Sequence, residues 1–377
     1  MIIGIDASRN RSGGTLAHIV GIISEFDPSK HDITEIHIWS YSNLLNEIPD
    51  RPWLIKHFSS YLEKNIFLQL FWQRYIFKKE LEHNKCELVF NTTASSIGRF
   101  KPNVTLSQDM LPFEPGEMER YKFGLGRLRL IFLKVFYIRA LKFSSGVIFL
   151  TKYASKMIQK KTGSIQNFQI IPHGVNESFR KIKIKREFSE ISEKEIRCIY
   201  VSSTAPYKHQ WHVVRAIKML REEGIPVTLT LVGGGAGSSQ RRLDNEIKLS
   251  DPNKTFVTQF SFIHIDNIPS ILSESDIFIF ASSCENMPVT LIEGMASGLP
   301  IACSDRGPMP EVLGDGGVYF DPEKPDTIFL AVKKLIQNKE LRIKNVEASK
   351  KISSMYLWKT NSEITFHYLA DIIKKSY

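Results

Sequence analysis

The sequence predicts an α/β protein of two domains, each a parallel sheet flanked by helices. Three observations carry that expectation. Short β-branched and aromatic runs alternate with helix-length amphipathic segments along the chain, and strands separated by helices form parallel sheets covered on both faces. The pattern lapses over the polar, charged residues 177–195 and then restarts. The length of 377 residues suits two ordinary domains, and 42 % hydrophobic with 24 % charged residues is a globular composition.

In the first half, Met1–Asp6 reads as a strand and Leu16–Phe26 as a helix. The turn between them, Ala7–Gly14, ends in Gly13 and Gly14. Such a turn lets backbone approach a ligand closely, but it is neither a Walker loop nor GxGxxG, and a plain turn fits it equally. Further strands are expected at Glu35–Trp39, Leu88–Phe90, Val104–Leu106, Val147–Leu150 and Gln169–Ile171. Thr105–Pro112 ends one of them and carries Gln108 and Asp109, where open α/β sheets bind ligands; a structural strand-end turn is the alternative. Residues 51–85 and 117–142 are basic and aromatic. From Arg120 to Lys142 there are seven Lys and Arg and no acid, interleaved with Tyr121, Phe123, Phe132, Phe136 and Tyr137. Gly124 and Gly126 are expected to break this helix, leaving Leu128–Phe143. Thr151 is a helix cap.

In the second half, Arg197–Val201 is a strand and Trp211–Arg221 a helix, with Ser202–His209 between them. Lys208 in that turn suits phosphate as a point charge, or is a solvated cation. Val227–Val232 is a strand that runs into Gly233–Gly237, a loop for close backbone approach or simply a flexible one. The most informative stretch follows the apolar run Asp276–Phe280: a polar turn Ala281–Asn286, then a helix from Pro288 to about Ser297, with Gly298 as its left-handed cap and Pro300 beyond. A helix N-terminus facing a strand-end loop is an anion site. Glu285 before the helix and Glu293 within it suit a vicinal diol; two solvated surface acids are the bland alternative. Leu299–Cys303 is a further strand, and Trp358–Ile373 the last helix.

Net charge is +10, split +8 over residues 1–180 and +2 over the rest. A basic half suits an anionic surface or substrate. Nucleic acid is not expected, because no helix-turn-helix, zinc-finger or RNA-binding signature occurs. Cys86, Cys198, Cys284 and Cys303 are scattered without CxxC spacing, which fits reduced cytosolic thiols. No Asp-x-Asp or His cluster marks a metal site. No apolar run reaches the length of a membrane span, and the first residues read as strand and loop rather than a signal peptide.

Residues 282–300, with Glu285 and Glu293 eight apart, resemble the paired-glutamate motif of the retaining family-four glycosyltransferases. Residues 304–323 and 353–373 look like the same family. The resemblance implies the GT-B fold: two Rossmann-like domains facing across a cleft, with residues 1–180 on the acceptor side, 181–355 binding the nucleotide sugar, and 356–377 a helix crossing back to the first domain. It implies retaining transfer of a hexose from a UDP- or GDP-sugar to a growing, lipid-linked glycan, with no cofactor and no metal. By the same resemblance Glu285 holds the donor hexose, Glu293 the ribose diol and Lys208 the diphosphate. Gly13, Gly14, Ser203, Gly233, Asn286, Met287, Pro288 and Val289 line the donor site. Asp109 serves the acceptor hydroxyl, and Gln108 and His173 are acceptor or hinge residues. Two positions depart from the family: Ser203 replaces a frequent Arg, and Gln108 replaces a His, so no proton shuttle is inherited there. A cytoplasmic enzyme, peripheral on the anionic inner face of the plasma membrane, is expected. The alternatives are a nucleotide-sugar epimerase, a phosphorylase needing a pyridoxal lysine, and a non-catalytic glycan- or nucleic-acid-binding protein.

Overall fold

The computed structural model describes residues 1–11, 13–121, 124–184 and 195–376. It divides into two compact units. One comprises Met1–Gly174 with Leu357–Tyr377, the other Val175–Tyr356.

The first unit holds seven parallel strands: β1 (Ile2–Asp6), β2 (Glu35–Ser40), β3 (Leu54–Phe58), β4 (Leu88–Asn91), β5 (Asn103–Ser107), β6 (Gly146–Phe149) and β7 (Phe168–Ile170), in the order β3-β2-β1-β4-β5-β6-β7. The second holds six: β8 (Ile196–Val201), β9 (Val227–Val232), β10 (Val257–Phe260), β11 (Ile277–Phe280), β12 (Ile301–Ser304) and β13 (Val318–Phe320), in the order β10-β9-β8-β11-β12-β13. Central strands such as β4, β6, β11 and β12 are buried at every residue. Helices cover both faces of a parallel sheet, so these strands read as unbroken apolar runs rather than alternating ones. In each sheet the chain builds outward on one side and then returns to build on the other. The reversal falls between β1 and β4, and between β8 and β11.

Two features differ from the sequence reading. Residues 51–85, read only as basic and aromatic, contain the edge strand β3. Its Lys56 and His57 dilute the apolar signal, which an edge position tolerates because one side is solvated. Gly126 does not break its helix, which runs Leu125–Phe143. A single glycine costs only about 1 kcal/mol in a helix, and here it lies in the first turn. Lys122, Phe123 and residues 185–194 of the stretches discussed above lie outside the described residues.

The last helix, Trp358–Ser376, belongs to the first unit and packs on the helix Gly14–Ser24. Ser362 Oγ donates to the Ile22 carbonyl at 2.8 Å, and Asn361 Nδ2 to that of Pro172 at 2.7 Å. Phe366 meets Phe26 with ring centroids 4.3 Å apart. The indole of Trp358 lies on Gly21, where an added Cβ would fall 2.4 Å from the ring. Overpacking of this kind typically costs about 1–3 kcal/mol. Gly21→Ala is therefore expected to lower the urea midpoint and to change Trp358 fluorescence. An unchanged midpoint would mean the ring moves aside freely.

Candidate functional site

The second unit's sheet reversal places two loops side by side, residues 202–209 after β8 and 281–288 after β11. Ligands of open α/β sheets bind at such reversals, beyond the carboxyl ends of the strands. The loops are tied together: Ser283 N–H donates to the Tyr207 carbonyl at 2.8 Å, and Ser283 Oγ lies 2.9 Å from His209 Nε2. Tyr200 Oη donates to the Lys208 carbonyl at 2.9 Å. His209 adopts φ 49°, ψ 27° and leads into the helix Gln210–Glu222.

Lys208 Nζ and Glu285 Oε1 form an ion pair between these loops. Their side chains are 12 % and 16 % exposed. The ammonium also lies 5.7 Å from the Phe280 ring and 5.3 Å from that of Tyr207, within cation–π range. Removing one member of a pair this sheltered leaves a charge without its counter-charge, which costs more than the pair itself contributes.

The helix after the second loop runs Val289–Ser297. Pro288 is its N-cap, at φ −81° and ψ 87°, rather than its first helical residue as expected. Proline serves there for the same reason, since helix N-termini leave backbone N–H groups without intrahelical acceptors. No side chain caps this end and no acid lies in its first turn, so the positive pole of the dipole is not offset locally. Gly298, at φ 79° and ψ 25°, closes the helix. Glu293 is 9 % exposed and no hydrogen bond reaches it among the described residues. Burial pushes its carboxyl up to about 8. Asn286 and Met287, which follow Glu285, are buried, and Ser203 is exposed.

The glycine loop after β9 is packed rather than loose. A Cβ on Gly233, which has φ 115°, would lie 2.3 Å from the Ser202 carbonyl oxygen, and one on Gly235 2.5 Å from that of Thr204. Only glycine permits this approach. Gly234 and Gly235, with Gln240, Gln259 and Ser261, line an open cavity of about 410 Å³.

In the first unit, Gly13 precedes the helix Gly14–Ser24 at φ 60°, with open space where a side chain would stand. Gln108 Nε2 donates to the Thr92 carbonyl at 2.8 Å, bracing the end of β4 against that of β5. Asp109 is exposed and accepts a 2.8 Å hydrogen bond from Tyr137 Oη. His173 is 2 % exposed, with Nδ1 3.2 Å from His18 Nδ1 and its ring 5.6 Å from Trp358. Burial lowers it to about 3. Its ring packs between His18 and Trp358 inside the first unit. Sequence reasoning missed Tyr137, His209 and Arg9. Arg9 lies in the Ala7–Gly14 turn, which was read for its glycines alone.

Residues 181–352, all in the second unit, match the family model for glycosyl transferases group 1. The chain is 25 % identical over 87 residues to O-antigen chain mannosyltransferase B of Escherichia coli, covering 23 % of each protein. It is 27 % identical over 180 residues to spore coat protein SA of Bacillus subtilis, covering 45 % of this chain and 47 % of that one. The chain thus spans about half or less of the length of the curated relatives it matches. The structure of Anabaena HepE in complex with UDP-glucose superposes with a TM-score of 0.71 at 18 % identity, covering 100 % of both chains. The fold is GT-B.

The buried Glu293 carboxyl gives a pH signature. Its folded-state value of about 8 lies above the usual 4.5, so between those values the folded protein binds a proton that the unfolded chain has released. By linkage, stability from this group is complete below about pH 4.5 and is lost as pH rises toward 8. Glu293→Gln, which mimics the protonated acid, is expected to flatten that slope and to be the more stable protein at pH 8. Parallel denaturation curves for both proteins across this range would show that Glu293 titrates normally.

Proposed function

We propose that the protein is a retaining, metal-independent hexosyltransferase that uses a nucleotide-diphosphate sugar to extend a lipid-linked glycan at an anionic membrane surface. The observation that carries this reading is the Lys208–Glu285 pair at the β8/β11 reversal, beside the uncapped N-terminus of Val289–Ser297. As the bond from the sugar's anomeric carbon to the diphosphate breaks, negative charge develops on the leaving oxygens. Lys208 and the helix N–H groups receive that charge, and the acceptor hydroxyl forms the new glycosidic bond on the same face of the sugar as its proton passes to an oxygen of the leaving diphosphate. Glu285, relieved of Lys208, binds the transferring hexose, and Glu293 binds the ribose diol. The Escherichia coli relative is named as an O-antigen mannosyltransferase and the Anabaena structure holds UDP-glucose, which supports a nucleotide sugar and a polysaccharide product. Asp109, with Tyr137, is the acceptor-side pair.

Removing a preorganised donor to developing charge typically costs about a hundredfold or more in rate. Lys208→Ala is expected to lose that much acceptor-dependent release of nucleoside diphosphate while still binding the bare nucleoside. An epimerase would alter the nucleotide sugar without acceptor, and a binding protein would release nothing; either result overturns the reading.

Membrane docking is supported by the helix Leu125–Phe143. Its Tyr137 and Leu141 are buried, but Leu128, Ile131, Phe132, Val135, Phe136 and Phe143 are exposed, interleaved with Arg129, Lys134, Arg139 and Lys142. Phe67, 78 % exposed, stands on the short helix Ile66–Phe71 of the other basic and aromatic stretch. Exposed apolar rings among cations suit an anionic interface, where each basic residue contributes about 1 kcal/mol. Among the described residues no helix is long and apolar enough to cross a membrane. The protein is expected to co-sediment with anionic but not neutral liposomes, and to release in high salt. Replacing Lys134, Arg139 and Lys142 with Glu should abolish binding; a wild type that ignores anionic liposomes at low salt rules docking out.

A further inference from the structure

Arg9 follows β1 directly, at the reversal between β1 and β4. It occupies the place in the first sheet that the Lys208 loop occupies in the second. Its guanidinium is largely sheltered, and Nε is buried without a hydrogen-bond partner among the described residues. The nearby carboxylate, Asp6, attracts it through space but makes no hydrogen bond to it among the described residues. Asp6 Oδ1 accepts from Ser8 N–H at 3.1 Å and Ser8 Oγ at 2.6 Å, and Oδ2 from Gln73 Nε2 at 2.8 Å and Ser96 Oγ at 3.0 Å. A carboxylate offers roughly four lone-pair positions, and neutral donors fill all of them. The charge of Asp6 offsets part of the cost of sheltering Arg9, but its oxygens leave no acceptor for the buried guanidinium donor, and a buried donor without an acceptor is costly unless an incoming anion supplies one.

Other charges converge here. Arg11 and Arg129 are both near enough to repel Arg9, and Tyr137 is also its neighbour. Arg11 is committed: its guanidinium stacks on Tyr41 at 3.8 Å and donates to the Leu62 carbonyl. Arg129 is not. It is exposed on the helix Leu125–Phe143 and makes no ion pair or hydrogen bond among the described residues. It also lies within electrostatic reach of Asp109, which Tyr137 holds. Two arginines with unused donors thus flank the Asp109–Tyr137 pair at the carboxyl ends of β1 and β5.

On the reading above, in which the first unit receives the acceptor, we infer that Arg9 and Arg129 form a subsite for a phosphate group carried by that acceptor. A planar guanidinium donates two parallel hydrogen bonds to phosphate, and two of them neutralise a dianion. Asp109 then meets a hydroxyl of the same molecule. A soluble sugar phosphate and a prenyl diphosphate share this chemistry.

The test is calorimetric titration of the full chain with inorganic pyrophosphate at constant ionic strength. Two sites are expected, one lost in Lys208→Ala and the other weakened about tenfold or more in Arg9→Gln and in Arg129→Gln, as for lost charge-assisted bonds. Arg9→Lys should retain part of the binding. Arg129 is exposed, so its variant carries the test even if Arg9→Gln does not fold. Titrations with glucose 6-phosphate and with farnesyl diphosphate then separate the two sources: the tighter ligand at the arginine site identifies whether the phosphate is borne by a sugar or a lipid. Pyrophosphate curves for both glutamine variants that superimpose on wild type overturn the subsite. An arginine site that persists while Lys208→Ala changes nothing would leave the subsite standing and remove the donor assignment instead.

Discussion

A parallel sheet whose strand order reverses has a gap at its carboxyl edge, and the chemistry of this protein depends on that constraint. Adjacent strands at the reversal send their exit loops to opposite sides, so the space between them is not filled by a crossover. The second sheet uses the gap between β8 and β11 to bring Lys208 against Glu285. The first uses the gap between β1 and β4, where Asp6 is saturated by neutral donors and Arg9 is left over. The two halves solve their local electrostatics in opposite ways. One neutralises its cation with a carboxylate from the neighbouring loop. The other occupies its carboxylate with hydroxyl and amide groups and leaves its cation available.

What could be read from sequence was what local chemistry dictates. The run Asp276–Phe280, the cap at Gly298 and the two glutamates were all visible because strand, cap and helix each have a short-range signature. Lys208 was visible as a type, a lysine in a strand-to-helix turn. Its contact with Glu285 was not, because the partners are 77 residues apart and depend on the pairing of β8 with β11. β3 was hidden by its own edge position, where half-solvated residues mix Lys56 and His57 into the apolar run. The isolation of Arg9 was illegible for a related reason: it follows from Gln73 and Ser96 reaching Asp6 from distant segments. The burial of His173 against His18 and Trp358 was equally illegible, because both partners come from distant segments.

Burial also sets the character of the acids. Glu293 is buried and no hydrogen bond reaches it among the described residues, so its proton is held toward neutral pH. Asp6, equally hidden, is surrounded by donors. A carboxyl kept protonated is ready to change state when hydroxyl groups arrive, whereas a fully bonded one is a fixed part of the frame. This contrast separates the acid suited to ligand binding from the one suited to architecture.

The first unit is assembled from two segments separated in sequence, because Trp358–Ser376 packs on Gly14–Ser24 while the second unit is continuous. During synthesis the order of completion therefore inverts the order of translation. Residues 1–174 emerge first but lack the helix that covers Ile22 and Phe26 until Trp358–Ser376 has been made. The second unit has all of its parts by residue 356. Nascent domains ordinarily fold from the N-terminus onward. Here the half made first waits with an uncovered apolar face, and it is the half that a chaperone would hold longest.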